Sequence, residues 1–131
     1  HDNVLLDYYP EVARCVSCNT CTKACPQDIE VMDYVQSALR GNIERTAELS
    51  FDCIQCGLCS IRCPADIKHY HMAQMARRIH AKYNQPESDE LAKRVEEIKE
   101  GKYDDEMEEL VNMEKEALKK RYDERDIKEE G

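Results

Sequence analysis

Long apolar runs are missing from this 131-residue sequence, and so is any concentration of basic residues. No stretch approaches the roughly 20 apolar residues that a membrane-spanning helix needs, which excludes direct membrane insertion of what is present. The longest N-terminal candidate, Val4-Leu5-Leu6, is too short for a signal-peptide core. The chain opens on His1 rather than Met, as expected of a trimmed chain. Trp is absent, Phe occurs once, and Gly and Pro occur four times each. This length allows one ordinary domain with an appendage, not two full cores. Neither a G-x-G-x-x-G nor a hydrolytic constellation occurs, which argues against a self-contained dehydrogenase.

Charge divides the chain. Residues 1–86 hold 9 Lys/Arg against 10 Asp/Glu, whereas residues 87–131 hold 10 against 18, so nearly all of the net charge of −9 lies in the last 45 residues. Nucleic acid requires a concentrated basic face, which neither part supplies. A boundary is expected at Asn84-Gln85-Pro86, giving a domain over 1–86 and a charged helical extension over 87–131. In the extension, Ser88 is expected to cap a helix containing Leu91, Val95 and Ile98, which Gly101 interrupts. One further amphipathic stretch is expected through Met107, Leu110/Val111, Glu114, Leu118 and Tyr122. Its narrow stripe reads as a subunit-docking arm, with two weakly packed solvated helices as the alternative.

What the chain does have is eight cysteines, all in two runs of one spacing. The first is Cys15, Cys18, Cys21 and Cys25, followed by Pro26; the second is Cys53, Cys56, Cys59 and Cys63, followed by Pro64. Both read C-x2-C-x2-C-x3-C-P, the bacterial two-cluster ferredoxin pattern, in which the fourth Cys of each run ligates the other cluster. Three thiolates two residues apart can wrap three corners of an iron–sulfur cube, after which Pro turns the fourth away. Carried over, that pattern implies two 4Fe-4S clusters. Cluster A takes Cys15, Cys18, Cys21 and Cys63, and cluster B takes Cys53, Cys56, Cys59 and Cys25. Two structural zinc sites and four disulfides compete, but the third evenly spaced Cys is superfluous for zinc and such close spacings suit bridging poorly.

Between the runs the pattern is helical. Asp28 is a candidate N-cap, with Ile29, Met32, Val35 or Gln36 and Leu39 following at steps of three and four, and Gly41 ending the helix. A second short helix is expected from about Glu44 to Leu49, with Ile43 and Ala47 or Leu49 inward. After the second run Asp66 is the candidate cap, followed by Ile67, Tyr70 or His71, Met75, Ile79 and Tyr83. Cys25-Pro-Gln-Asp-Ile and Cys63-Pro-Ala-Asp-Ile mark an internal pseudo-repeat of one cluster loop and one helix. Residues 1–14, with Leu5, Leu6 and Val12, are expected to complete the core and cover cluster A. Among the cations and imidazoles that follow the second run, His69, His71 and His80 read as polar or half-buried helix residues rather than ligands.

On both complete Cys runs, the helical spacer ending in Leu39-Arg40-Gly41 and the Asp-Ile pair after each Pro, residues 12–80 resemble the alpha-helical ferredoxin family. The likeness is to the domain of the small C subunit of heterodisulfide reductase, with relatives in anaerobic glycerol-3-phosphate dehydrogenase, succinate dehydrogenase and fumarate reductase. It implies an all-α alpha-helical ferredoxin domain with a C-terminal helical arm. It also implies a non-catalytic electron-transfer subunit of a multi-subunit oxidoreductase, passing electrons between a flavin-containing subunit and catalytic or further iron–sulfur subunits. The flavin is expected in the partner, not in this chain. A reducing cytoplasm and an anaerobic host are expected, and the alternative is a freely diffusing two-cluster ferredoxin.

Overall fold

The computed structural model describes residues 2–127; His1 and residues 128–131 of the expected extension lie outside it. Its contacts divide into two compact units, His1–Pro86 and Glu87–Gly131. All regular structure among the described residues is helical.

In the first unit, α1 (Val4–Tyr8) and a 3-10 turn (Pro10–Arg14) precede the first Cys run, which contains α2 (Thr20–Ala24). Helices α3 (Val31–Leu39) and α4 (Ile43–Leu49) fill the spacer, α5 (Leu58–Ile61) lies in the second run, and α6 (His69–Tyr83) closes the unit. Helix α3 buries Val31, Tyr34, Val35 and Ala38, spaced so that they share one face. The stripe of α6 is equivalent: His69, Met72, Ala73 and Ala76. Both stripes meet Leu5, Val12 and Ile67 in one core. Full burial of a Leu, Val or Met side chain contributes about 1.5–3 kcal/mol.

Ile29, Val35 and Ile67 are buried as expected, while the rest of each face is displaced by about one residue. Met32, Leu39, Tyr70, Met75 and Ile79 flank the core half-buried, and Tyr83 is 71% exposed. Helix α6 packs against α4, and the small side chains of Ala73 and Ala76 permit that approach, although neither is a strong hydrophobic signal in sequence. The helix starts also differ. Asp28 and Asp66 cap nothing, because each adopts a left-handed conformation (φ 59° and 52°), while Glu30 and Lys68 precede the first helical residues without side-chain capping. The chain must reverse between the fourth Cys and the helix, and Asp tolerates that conformation better than bulky residues.

Gly41 stops α3 as expected. Its N–H bonds the Ala38 carbonyl at 3.0 Å and the Asn42 N–H bonds that of Ser37 at 2.9 Å, both 6→1 and 5→2 bonds of a Schellman motif. The Asn42 side chain then accepts from the Arg45 N–H at 2.9 Å to open α4, a residue or so earlier than expected. Asn3 donates to the Ala38 carbonyl at 2.8 Å, tying the N-terminal flank to the end of α3.

The second unit consists of α7 (Asp89–Lys99), α8 (Asp104–Asn112) and α9 (Lys115–Asp123), none of which buries a residue. Ser88 caps α7, accepting from the Leu91 N–H at 3.3 Å, and Gly101 ends it in a second Schellman motif. Arg94, Glu97, Lys102 and Tyr103 form one polar cluster at this corner. The single stretch expected through residues 107–122 is broken, since Met113 and Glu114 are extended. An ion pair of 3.2 Å between Glu109 and Arg121 spans the break.

Candidate functional site

The two Cys runs fold alike, position for position. In each, the residue before the second Cys and the residue after it are left-handed: Ser17 and Asn19 in the first, Gln55 and Gly57 in the second. A short helix follows, α2 or α5, and carries the third Cys. Exposure repeats as well. Cys21 and Cys59 are buried, at 7% and 8% exposed, Cys18 and Cys56 are exposed, and the other four are intermediate. Ser17 and Gln55 hold a conformation that costs a non-glycine residue about 1–3 kcal/mol. Two loops keeping it at matching positions point to a shared demand on the backbone.

All eight thiols are free of disulfides, and they divide between two cavities. One is lined by Cys15, Cys18, Cys21 and Cys63 with Met32, Ile67 and His69. The other is lined by Cys53, Cys56, Cys59 and Cys25 with Ile29, Tyr34 and Tyr70. Each cavity therefore takes three thiols from one run and the fourth from the other. Pro64 lines the first and Pro26 the second, each directly after the crossing Cys. The N-terminal flank lines neither: Leu5 and Val12 complete the core, but covering the first cavity falls to Met32, Ala65 and Ile67.

The donor set suits a bulky sulfur-bound group. Among the described residues no three His, Cys, Asp or Glu side chains converge closely enough to hold a single metal ion. A zinc site needs four thiolates about 2.3 Å from one point; here the thiols stand around a space. Nitrogen donors already face the sulfurs. The Gln55 N–H bonds Cys53 Sγ at 3.4 Å, the Gln55 side chain reaches it at 3.7 Å, and Gln36 Nε2 donates to Cys15 Sγ at 3.6 Å. Such bonds stabilise thiolate-bound clusters and tune their potentials.

The thiols also differ among themselves. A hydrogen bond with Thr20 at 3.3 Å holds Cys18 below the ordinary thiol range, whereas burial pushes Cys21 up and Cys59 up to about 11. Only a strongly binding metal group would keep those two ionised at neutral pH. Burial likewise pushes the Tyr34 phenol far above its usual range, so it presents a neutral wall.

His71 is exposed, but His69 is only 2% exposed, a correction to the half-buried expectation. Burial pushes its pKa down to about 4. Tyr34 and His69 went unrecognised as wall residues in sequence. The pseudo-repeat aligns Val31 with His69 and Tyr34 with Met72, and all four positions are buried.

Residues 14–67 match the family model described as 4Fe-4S dicluster domain, a span that contains all eight Cys. No curated protein and no solved structure matches the chain. With the all-helical architecture, consistent with an alpha-helical ferredoxin, the match supports an iron–sulfur, ferredoxin-like family for this chain and an electron-transfer role.

Proposed function

We propose that this chain is an electron-relay subunit holding two 4Fe-4S clusters, of the kind found in the small C subunit of heterodisulfide reductase. Cys15, Cys18, Cys21 and Cys63 hold cluster A; Cys53, Cys56, Cys59 and Cys25 hold cluster B. The partition of eight thiols into two crossed sets of four carries this reading. Bound clusters of this type take up and release single electrons.

The remaining residues prepare the sites. Gln36 and Gln55 donate to ligand sulfurs, while Met32, Ile67, Ile29 and Tyr34 keep water from the inner walls. Cys18 and Cys56 form the exposed edges, beside exposed Val16 and Ile54, which provides an apolar approach for a redox partner. That partner is a flavin-containing subunit on one side and a catalytic or iron–sulfur subunit on the other, within a cytoplasmic complex. The extension of residues 87–131 docks onto the complex, since Leu91, Ile98 and Val111 remain exposed in its own fold. No helix of the described residues is long and apolar enough to cross a membrane.

Anaerobic native purification, with mass, flavin, iron and sulfide measured on one fraction, tests the reading. A stoichiometric flavin complex with about eight irons per copy of this chain is expected. A lone 15.3 kDa iron–sulfur protein would instead establish the diffusing ferredoxin. The crossing has its own test: Cys25→Ser should perturb mainly cluster B and Cys63→Ser mainly cluster A, and spectra with the opposite pairing would overturn the assignment. Deleting 87–131 should release the complex with both clusters intact; their loss would make the extension part of the core.

A further inference from the structure

The charges of the two Cys loops are set apart from those of the rest of the chain. Residues 13–27 and 53–65, which carry all eight Cys, contain Arg14, Lys23 and Arg62 but no Asp or Glu, so all 28 acidic residues lie elsewhere. Two of these cations meet in one surface groove, lined by Thr20, Lys23, Ala24, Leu58 and Arg62. Both are exposed, and among the described residues neither side chain makes an ion pair or a hydrogen bond. Other cations of this unit are engaged: Lys68 pairs with Asp66 at 3.0 Å, and Arg77 donates to Ser50.

The groove lies between α2 and α5, the short helices of the two runs, which pack together. Every residue lining it is within two positions of a Cys. Thr20 and Lys23 flank Cys21 and Arg62 precedes Cys63, both of the first cavity; Ala24 precedes Cys25 and Leu58 precedes Cys59, both of the second. Thr20 also bonds the exposed Cys18 at 3.3 Å. On α5, Leu58 and Ile61 are 41% and 77% exposed. Cations without partners beside exposed aliphatic side chains complement an acidic protein surface, since a free anion would leave the aliphatic area uncovered. We infer that the groove between α2 and α5 receives the carboxylate-bearing face of an electron-transfer partner, Lys23 and Arg62 pairing with its acids while Leu58 and Ile61 form the apolar contact.

This inference rests on the electron-transfer reading above and adds the chemistry of the partner's surface. The chain's net charge of −9 repels an acidic partner elsewhere, so attraction at the cationic loops orients the encounter. Docking there brings the partner beside ligands of both cavities.

The test uses the full chain, loaded anaerobically and reduced, with two one-electron oxidants. These are the trianion tris(oxalato)cobaltate(III) and the trication hexaamminecobalt(III); each becomes cobalt(II) as a cluster gives up its electron. In the double variant Lys23→Gln, Arg62→Gln, stopped-flow oxidation by the trianion should slow by about tenfold at low ionic strength, and by less as salt rises. Oxidation by the trication should hold or quicken. Both rates moving in the same direction would overturn the inference, because cations that only offset cluster charge change the driving force for either oxidant. Unchanged rates would overturn it as well. In the unsubstituted native complex, which needs no variant to load, zero-length carbodiimide coupling should join Lys23 to a carboxylate of another subunit. Coupling of other lysines to partners while Lys23 stays free would overturn the docking site. Isolation of the chain alone would overturn the subunit reading instead, and the two oxidants would still decide the groove.

Discussion

Arg77 fastens α6 to the approach of the second Cys run, and its removal offers a measurable consequence. Its Nη1 donates to both the carbonyl and the hydroxyl of Ser50, each at 2.9 Å. Ser50 is fully buried at the end of α4, and its carbonyl also accepts from the Cys53 N–H at 3.1 Å. A hydrogen bond from a charged donor contributes about 1.5–3 kcal/mol. In Arg77→Ala the Ser50 carbonyl keeps the Cys53 N–H, and the hydroxyl keeps its 2.7 Å bond to the Thr46 carbonyl. The two losses therefore fall short of two full bonds, and about 2 kcal/mol is expected, a factor of about 30 in the opening equilibrium. Anaerobic bleaching of cluster absorbance at fixed guanidinium, compared with Ser50→Ala and the double variant, reads this cost. Bleaching should accelerate markedly in Arg77→Ala, and the two substitutions should couple by about 1 kcal/mol or more. A rate within about twofold of the unsubstituted protein, or strict additivity, would refute the role assigned to this contact.

Other expectations are simpler to check. Gly57→Ala places a Cβ at ordinary contact distance, 3.6 Å from the Tyr70 ring, but at φ +77°; the backbone alone should cost about 1–2 kcal/mol, seen as a lower thermal midpoint, whereas Asn19→Gly at the matching position should cost nothing. Gly101→Ala adds a Cβ 2.7 Å from the Asp104 carboxylate at φ +78°, so the helical circular dichroism of the extension should melt earlier. Cysteine alkylation mapped by mass spectrometry should spare all eight thiols in the loaded protein. After chelation at pH 7, Cys18 should react first and Cys59 last; uniform labelling would contradict the environments described here.

Much of the architecture was legible because it is periodic. The Cys spacing located both loops, and Gly41 and Ser88 announced a helix end and a helix start through backbone requirements that few residues meet. The starts of α3 and α6, after the two Cys runs, were not legible in the same way. Asp28 and Asp66 have the composition of caps but the conformation of reversals, and composition cannot separate the two. Tyr34 and His69 were hidden for another reason: an amphipathic residue on a stripe declares its polarity, not its depth. In the extension, abundant charge masks the break at Met113-Glu114, where no Gly or Pro marks it. How the eight thiols are grouped in space had only the bacterial pattern behind it in the sequence; in the structure each of two cavities is lined by four of them.

The exchange of fourth thiols between cavities bears on how the protein is made. A nascent chain that has reached Leu49 carries three thiols of one set and a single thiol of the other, Cys25, so neither set is complete. Cavity B gains its last member with Cys59 and cavity A only with Cys63. Both sites thus ripen within a few residues of each other, late in the synthesis of this unit. Neither half of the repeat is a separable module: cutting the chain between Gly41 and Asn42 would divide both sets at once, and a fragment from either side would offer three donors where four are needed.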